Sequence, residues 1–258
     1  MDEVKERQRV MWGLGDYPAV ADKIADVGEL VVARAGIEPG MDVLDVARGS
    51  GNATLPAART GARVTGLDLS PELLAIARER AAAQGLDIEW LDGDAEELPF
   101  GDASFDRVIS TFGHMFTPDQ GRVAAEMRRV CRPGGAIAIC CWTPEGAIGR
   151  MFRMMSELLP PPPGTASPVL WGTEQHVGEL LGDAEFERHE VEWREESVPA
   201  YADFMLESFG PLISVGAALG ERAGDLRREY IRFLEQENLE DDGRLRFRGE
   251  YLLAVMRG

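Results

Sequence analysis

The sequence predicts an α/β fold: a doubly wound, Rossmann-like sheet of seven strands whose last strand is antiparallel, with a helical cap. Three observations predict it. Strand and helix patterns alternate from about Val20 to Trp142, which is typical of a parallel sheet covered on both faces. The first strand runs straight into a glycine-rich turn at 47–51. After Trp142 the pattern becomes strand, helices, strand, which indicates an antiparallel edge pair with a cap between its members.

The first half of the chain carries the elements of the parallel sheet. Apolar residues at helical spacing predict a leading helix over 20–36. Ser70-Pro71 predicts the start of a helix that ends at Gly85, because serine is a common N-cap and proline suits the first helical turn. Thr117-Pro118 predicts the start of a further helix. The predicted strands are 41–46, 63–67, 88–91, 105–109 and 136–142.

The second half is organised differently. The run Pro160-Pro161-Pro162-Pro163-Gly164 predicts a stiff, extended segment, since proline cannot continue a helix or a central strand. The elements predicted after it are a helix at 174–181, a strand at 187–198, helices at 201–219 and 221–236, and a closing strand at 244–256. Three regions follow from these patterns. They are an N-terminal arm and helix (1–40) that is a candidate flap, a ligand-binding core (41–142), and a cap with the closing strands (143–258).

Composition narrows the class of partner. The chain has 258 residues, and 27 Lys and Arg against 45 Asp and Glu give a net charge of −18. A surface with this much negative charge repels the phosphate backbones of nucleic acids. We therefore expect a small-molecule acceptor and no nucleic-acid partner. Three dispersed histidines and three cysteines without CxxC spacing predict no metal site. The N-terminus lacks an apolar signal core and no stretch approaches 20 apolar residues, so we expect no membrane span and a cytoplasmic protein.

Acidic and glycine-rich features occur at the carboxyl ends of successive predicted strands, where open α/β sheets bind ligands. Four of them follow one another: Asp45 with Gly49 and Gly51, then Asp68, then Gly93-Asp94-Ala95, then Ser110-Thr111-Phe112-Gly113-His114. A carboxylate at the end of the first strand would repel a pyrophosphate, which is normally bound by backbone N–H groups and helix dipoles. It would attract a ligand with an ammonium, a sulfonium and a ribose. This profile favours S-adenosylmethionine over NAD or ATP.

Five motifs extend this pattern over residues 41–142. They are Val-Leu-Asp-Val-x-x-Gly-x-Gly-Asn (43–52), Gly-Leu-Asp-Leu-Ser-Pro (66–71), Gly-Asp-Ala-Glu-Glu-Leu-Pro-Phe (93–100), Phe-Asp-Arg-Val (105–108) and Glu-Met-Arg-Arg-Val-Cys-Arg-Pro-Gly-Gly (126–135). In order and spacing the chain resembles the class I S-adenosylmethionine-dependent methyltransferases. It is most similar to the small-molecule branch that includes the methyltransferases of menaquinone and ubiquinone biosynthesis.

The resemblance implies a role for each motif. The turn from Asp45 to Gly51 would hold the methionine part of the cofactor, and Asp68 with Leu69 the ribose. Asp94 and Ala95 would hold the adenine. The residues expected beside the sulfonium are Thr111 and Phe112. Two positions depart from the family: Ala47 stands where glycine is usual, and Arg48 either reaches the carboxylate of the cofactor or crowds the site.

Other residues have two readings each. His114 is a candidate general base, because an imidazole with a pKa near ~6.5 suits deprotonation of an acceptor, or it is simply packed or solvated. Trp12 and Tyr17 belong either to a flap over the cofactor or to an arm packed on the domain. Aromatic and methionine residues in 151–155 and 201–213 line an apolar acceptor pocket or form plain core. A homodimer is a further expectation.

Two rival functions stay open at this point. One is an NAD(P)-dependent oxidoreductase with a variant nucleotide loop, against which stand Asp45 and an incomplete G-x-G-x-x-G motif, with Ala47 and Thr54 in place of two glycines. The other is a binding protein with the methyltransferase fold but without activity, in which Arg48 obstructs the cofactor.

Overall fold

A computed structural model describes residues 3–162 and 165–258, and it contains one seven-stranded sheet in the order β3-β2-β1-β4-β5-β7-β6. The strands are β1 (Asp42–Val46), β2 (Arg63–Asp68), β3 (Glu89–Asp92), β4 (Phe105–Thr111), β5 (Cys131–Trp142), β6 (Glu185–Glu195) and β7 (Leu245–Arg257). The first five run parallel, and β7 is antiparallel to both β5 and β6. The predicted fold class is confirmed, including the antiparallel pair at the C-terminal edge.

Eleven helices flank the sheet within the described residues. They are α1 (Glu3–Trp12), α2 (Tyr17–Asp22), α3 (Ala25–Ala35), α4 (Thr54–Arg59), α5 (Pro71–Ala83), α6 (Gln120–Val130), α7 (Ala147–Leu158), α8 (Glu174–Leu181), α9 (Val198–Ser208), α10 (Gly210–Leu219) and α11 (Ala223–Glu237). Helices α9, α10 and α11 lie between β6 and β7 in the chain, as the cap prediction requires.

The central strands are buried on both faces. Val43 and Leu44 of β1 and Val108 and Ile109 of β4 have no exposed surface, and these runs are continuously apolar, as is usual for parallel strands with helices on both sides. The chain order of the sheet reverses between β1 and β4. A crevice opens at such a reversal, beyond the carboxyl ends of the strands. The sheet therefore positions the ends of β1, β2 and β4 around one place.

Three predicted helices differ from those observed. The leading helix is two helices, α2 and α3, separated at Lys23, whose ammonium pairs with Glu195 of β6 at 2.5 Å. The helix predicted from Thr117 begins at Gln120, since the side chain of Asp119 caps it by accepting from the Arg122 N–H at 2.9 Å. The helix predicted over 201–219 is broken at Phe209.

The break at Phe209 has a local cause. Pro211 lies in the first turn of α10, where its missing N–H and its ring are tolerated but where a continuous helix would be disrupted. A side chain at Gly210 would also lie 2.1 Å from the carbonyl oxygen of Met11, so the end of α1 packs directly against this corner. Of the predicted proline-rich segment, residues 160–162 form neither helix nor strand, and Pro163 and Gly164 lie outside the described residues.

Two features of the described residues bear on a membrane span and on a metal site. No single helix among them is long and apolar enough to cross a membrane, although α9 and the segment Gly210–Glu237, bent by 86°, meet the length and composition criteria as a pair. Among residues 3–162 and 165–258, no three His, Cys, Asp or Glu side chains are grouped so as to hold a metal ion.

Candidate active site

Two adjoining cavities lie at the carboxyl ends of β1, β2 and β4. The larger spans about 670 Å³, including space that is open to solvent. The smaller, of about 380 Å³, lies at the end of β1, and Asp45 is part of its wall. Residues shared by both cavities are Tyr17, Ala47, Gly49 and Phe112. The walls of the larger cavity come from α1 and α2, the turn after β1, the ends of β2 and β3, and the loop after β4.

The turn after β1 has an unusual backbone conformation. Ala47, Gly49 and Gly51 all have positive φ, of 52°, 58° and 93°. Glycine adopts this conformation freely, whereas alanine at 47 adopts it at a cost. The departure from glycine at Ala47 is thus accommodated within the turn. The N–H of Gly49 donates to the Asp68 carboxylate at 2.7 Å, which ties the turn to the end of β2.

The Asp45 carboxylate is buried and only half satisfied. Its Oδ2 accepts from the Thr54 hydroxyl at 2.5 Å, while its Oδ1 has no hydrogen-bond partner. The hydroxyl of Thr111, on the wall of the same smaller cavity, also lacks a partner. Burial raises the pKa of Asp45 to about 7. Buried polar atoms without partners are rare in folded proteins, so these two oxygens mark a place for a polar ligand.

The Asp68 carboxylate is held rigidly at the wall of the larger cavity. Its Oδ2 accepts from Gly49 N–H at 2.7 Å and its Oδ1 from Ser70 N–H at 2.9 Å. Burial raises the pKa of Asp68, and the nearby Arg48 guanidinium and these backbone N–H groups oppose that rise. Asp68, the acid predicted at the end of this strand, is therefore a hydrogen-bond acceptor held in one position. Leu69 lies beside it in the wall of the larger cavity.

Asp94 and Ala95 also line the larger cavity, and here a residue without any sequence signal joins them. Lys5 of α1 pairs with Asp94 at 2.6 Å and with Glu96 at 2.5 Å. The Asp94 Oδ1 accepts from the Glu96 N–H at 2.9 Å. The polar helix α1 thus forms part of the wall of the larger cavity. No sequence pattern predicts this, because it depends on the contact between Lys5 and Asp94, which are distant in the chain.

The comparisons with known proteins indicate the family of the chain. Residues 43–135 match a family described as a methyltransferase domain. An uncharacterised protein of Mycobacterium tuberculosis is 42% identical over 257 residues, covering 96% of this chain and 92% of the relative. A demethylmenaquinone methyltransferase of Thermus thermophilus is 39% identical over 116 residues, covering 43% of this chain and 53% of that enzyme. This chain belongs to the class I S-adenosylmethionine-dependent methyltransferases.

The fold of this methyltransferase has a solved counterpart. The crystal structure of a candidate methyltransferase from Bacillus halodurans aligns with a TM-score of 0.60 at 22% identity, covering 88% of this chain and 96% of that one. The family match decides against the NAD(P)-dependent oxidoreductase. The other rival function, a binding protein with the methyltransferase fold but without activity, requires that Arg48 obstruct the cofactor. The position of the Arg48 side chain therefore bears on it.

In the methyltransferase, Arg48 does not enter the larger cavity. Its guanidinium carbon lies 4.6 Å from the centroid of the Trp90 ring, and Nη1 donates to the carbonyl of Gly49. The side chain is 5% exposed, lies against β2 and borders only the smaller cavity. Arg48 therefore lines the cavity beside Asp45 and not the larger one, and both alternatives for its role toward the cofactor stay predictions.

His114 lies away from both cavities, although its loop does line them. Its ring is fully buried, with Nε2 3.0 Å from the Cys141 sulfur and the Trp171 ring edge-on at 4.7 Å. Burial lowers the pKa of His114 to about 3. A base must reach the acceptor and take up a proton near neutral pH, and His114 is placed for neither. The geometry therefore corrects the general-base hypothesis and makes His114 a core residue.

The buried, neutral His114 leads to a prediction about stability. Between pH 6.5 and about 3 the unfolded chain binds a proton at this histidine and the folded chain does not, so stability falls as the pH falls through that window. At pH 5 this residue should cost about 2 kcal/mol relative to pH 8. The variant His114→Gln should lose that part of the slope in urea titrations from pH 8 to pH 5. Parallel slopes for both proteins would contradict a buried neutral imidazole.

Proposed function

We propose that this methyltransferase binds S-adenosylmethionine across the two cavities and transfers its methyl group to an oxygen, nitrogen or carbon of a small, apolar acceptor. The observation that carries the proposal is the pair of unpartnered buried oxygens, Asp45 Oδ1 and Thr111 Oγ1, in a cavity that adjoins the Asp68 carboxylate. S-adenosylmethionine carries an ammonium at one end, which can donate to the unpartnered oxygens, and ribose hydroxyls, which can donate to Asp68. The residues present therefore fit this cofactor.

Each acidic residue has a distinct binding role in the proposal. Asp45, with the turn that includes Gly49, would hold the amino-acid end, Asp68 the ribose, and Asp94 with Ala95 the adenine. When bound, the cofactor supplies a methyl group already activated by its positive sulfur. The protein then contributes orientation, because Asp68 is fixed by two backbone N–H groups, and catalysis by positioning needs such rigid supports.

Aromatic side chains form the part of the site that faces the acceptor. Trp12, Phe112 and Phe116 line the larger cavity, and the Trp12 ring lies 4.8 Å from Phe116 and 6.1 Å from Phe209. Such a wall favours an apolar acceptor and keeps water from the reacting atoms. Because Trp12 and Tyr17 belong to α1 and α2, the hypothesis that the N-terminal arm is a flap over both ligands is part of this proposal.

The proposed reaction does not use Tyr17 or His114 as a general base. Burial, together with the charge of Asp68, raises the pKa of Tyr17 to about 12, so the phenol stays protonated at neutral pH and does not serve as a base. His114 lies outside the cavity. We therefore infer an acceptor whose own atom is nucleophilic enough to attack once it is positioned. A cytoplasmic location, a small-molecule rather than nucleic-acid partner and a homodimeric state complete the proposal.

Calorimetry with S-adenosylhomocysteine tests the proposed cofactor site. The wild-type protein should bind it, and Asp45→Asn should weaken binding about 10- to 100-fold, since a charged hydrogen bond to an ammonium contributes about 1.5–3 kcal/mol. Asp203→Asn is the matched control, because Asp203 pairs with Arg227 at 2.7 Å on the surface of α9. With S-adenosylmethionine labelled in its methyl group and an organic-soluble cell extract as the source of acceptor, the wild-type protein and Asp203→Asn should transfer more label than Asp45→Asn. Absence of binding to the wild-type protein would overturn the proposal.

A further inference from the structure

Helix α1 covers one side of the larger cavity without burying an apolar face. None of its ten residues is buried, yet Lys5, Gln8 and Trp12 line the cavity. Most helices in proteins are stabilised by tertiary packing of an apolar face, so polar contacts have a larger share in holding α1. Elements with few buried contacts also open locally at a low cost in free energy. The position of this wall therefore depends on the polar contacts of α1.

These contacts are ion pairs near the N-terminal end of α1. Lys5 and Arg9 are four residues apart and so lie on one face of the helix. The Lys5 ammonium lies 2.6 Å from the carboxylate of Asp94 and 2.5 Å from that of Glu96. The Arg9 guanidinium lies 2.9 Å from the carboxylate of Asp92, the last residue of β3. We call these three ion pairs the latch.

The other end of α1 is fixed by close packing against the cap. A Cβ added to Gly210 would lie 2.1 Å from the carbonyl oxygen of Met11, and one added to Gly15 would lie 2.6 Å from that of Ser208. The backbone of α1 and of the loop after it thus touches the backbone of the cap. Gly15 has a φ of 71° in this loop. Helix α1 is therefore anchored near Trp12 and held by charges near Lys5.

The latch lies where the larger cavity meets the surface. Lys5, Asp94 and Pro118 line both the larger cavity and an open groove on the outside of the molecule. Movement of the Lys5 end of α1 away from Asp94 would therefore open the cavity into the groove. Asp94 is also the residue expected at the adenine, so the opening lies at the adenine end of the proposed cofactor site.

We propose that α1 is a lid held shut by the latch, and that ligands enter and leave the larger cavity when the latch opens. The proposal rests on the proposed function, because it places the cofactor in this cavity and adds to the flap the contacts that close it. In the open state Lys5 and Arg9 are separated from their acids, while the packed end at Trp12 stays in place. A latch made of charges makes the opening sensitive to salt.

Ionic strength should act mainly on the outer part of the latch. The side chains of Arg9 and Asp92 are 28% and 40% exposed, whereas those of Lys5 and Glu96 are 14% and 6% exposed. Salt screens exposed charges more strongly than sheltered ones. Because both entry and exit of a ligand require the open lid, a weaker latch should raise the rates of binding and release together and change the affinity little.

Stopped-flow fluorescence with S-adenosylhomocysteine measures both rates, with Trp12 in the cavity wall as a reporter. This ligand has no net charge at neutral pH, so salt changes its diffusional encounter little. For the wild-type protein both rates should rise about three- to tenfold between about 0.05 and 0.5 M NaCl, with Kd changed less than about twofold. Arg9→Met should raise both rates about threefold at low salt, since Arg9 is outside the cavity wall and acts only through the latch.

Two further variants serve as controls. Arg7→Met removes a charge from the same helix, but Arg7 pairs with Glu3 within α1, so this variant should keep the wild-type rates. The exchange Arg9→Asp with Asp92→Arg restores an ion pair of opposite orientation and should return both rates toward those of the wild-type protein.

Hydrogen exchange read by mass spectrometry tests the lid without any ligand. A detached helix of ten residues is not stable in water, so each opening exposes the amides of α1. These amides should exchange faster in Arg9→Met and at high salt, while those of α3 should not change. Binding rates and exchange that are insensitive to salt and to Arg9→Met, or equally changed by Arg7→Met, would contradict the latch. Failure of the wild-type protein to bind S-adenosylhomocysteine would instead count against the proposed function, and the exchange of α1 would still decide whether the latch holds it.

Discussion

Replacement of Asp68 by alanine is expected to weaken binding of S-adenosylhomocysteine roughly 30- to 150-fold, a loss of about 2–3 kcal/mol. The carboxylate does two things in the site. It lines the larger cavity, where it would accept from the ribose hydroxyls, and it accepts the N–H groups of Gly49 and Ser70 at 2.7 and 2.9 Å. Its removal loses the contact to the ligand and also releases the turn that shapes the cavity.

Isothermal calorimetry at a temperature well below the unfolding midpoint measures the loss of affinity in folded protein. Asp203→Ala removes an exposed acid that is paired with Arg227 and should bind the ligand as the wild-type protein does. Asp68→Asn should retain more affinity than Asp68→Ala, because an amide oxygen still accepts one hydrogen bond. Unchanged affinity in Asp68→Ala would remove Asp68 from the cofactor site.

Gly113→Ala is expected to have the largest effect of any single methyl group in the site. The added Cβ would lie 1.9 Å from the carbonyl oxygen of Ala47 and 2.7 Å from its Cβ, and a backbone atom cannot move aside by changing rotamer. Gly113 has a φ of −74°, which alanine adopts readily, so the cost comes from the collision alone. The loops after β1 and β4 must separate, at a cost of about 3 kcal/mol in stability.

The same substitution should lower affinity for S-adenosylhomocysteine at least about tenfold, since displacements near 1 Å in a preorganised site have effects of this order or larger. Thermal unfolding and calorimetry measure the two losses. Gly178→Ala is the matched control: it lies in α8 with no atom within 4 Å of the added Cβ, so it should stabilise the helix by about 0.5–1 kcal/mol. A Gly113→Ala protein that unfolds and binds like the wild type would contradict the close approach of the two loops.

Much of the architecture could be predicted from local pattern. The apolar run before Asp45 and the Ser70-Pro71 helix start agree with the structure, because each depends on residues near one another in the chain. The final antiparallel pair also agrees, although its two strands lie far apart in the chain, because the order strand, helices, strand predicts it. The break at Phe209 was missed, although Pro211 favours a helix start there, because proline is tolerated in the first turn of a helix and not in its interior. The break at Lys23 was also missed, and the contact of Lys23 with Glu195, 172 residues away, has no signal in the sequence.

The orientation of side chains in the site depends on residues that are distant in the sequence. His114 shares a loop with Phe112 and Gly113, both at the cavity, yet its ring lies in the core because Cys141 and Trp171 enclose it there. Arg48 is next to Gly49 in sequence, yet it lies against β2 because Trp90 and the absent side chain of Gly66 provide a slot. In both cases the neighbouring residues belong to other strands or loops.

The amino-acid sequence alone determined the class of fold, the order of the acidic strand ends and the resemblance to the methyltransferases, because periodicity, turn chemistry and short motifs are properties of consecutive residues. Only the tertiary structure decided which polar atoms are left without partners, that Lys5 pairs with Asp94, and that the Arg48 guanidinium stacks over Trp90. The physical reason is that burial and charge proximity arise between residues distant in the chain, once the sheet has brought its strand ends together.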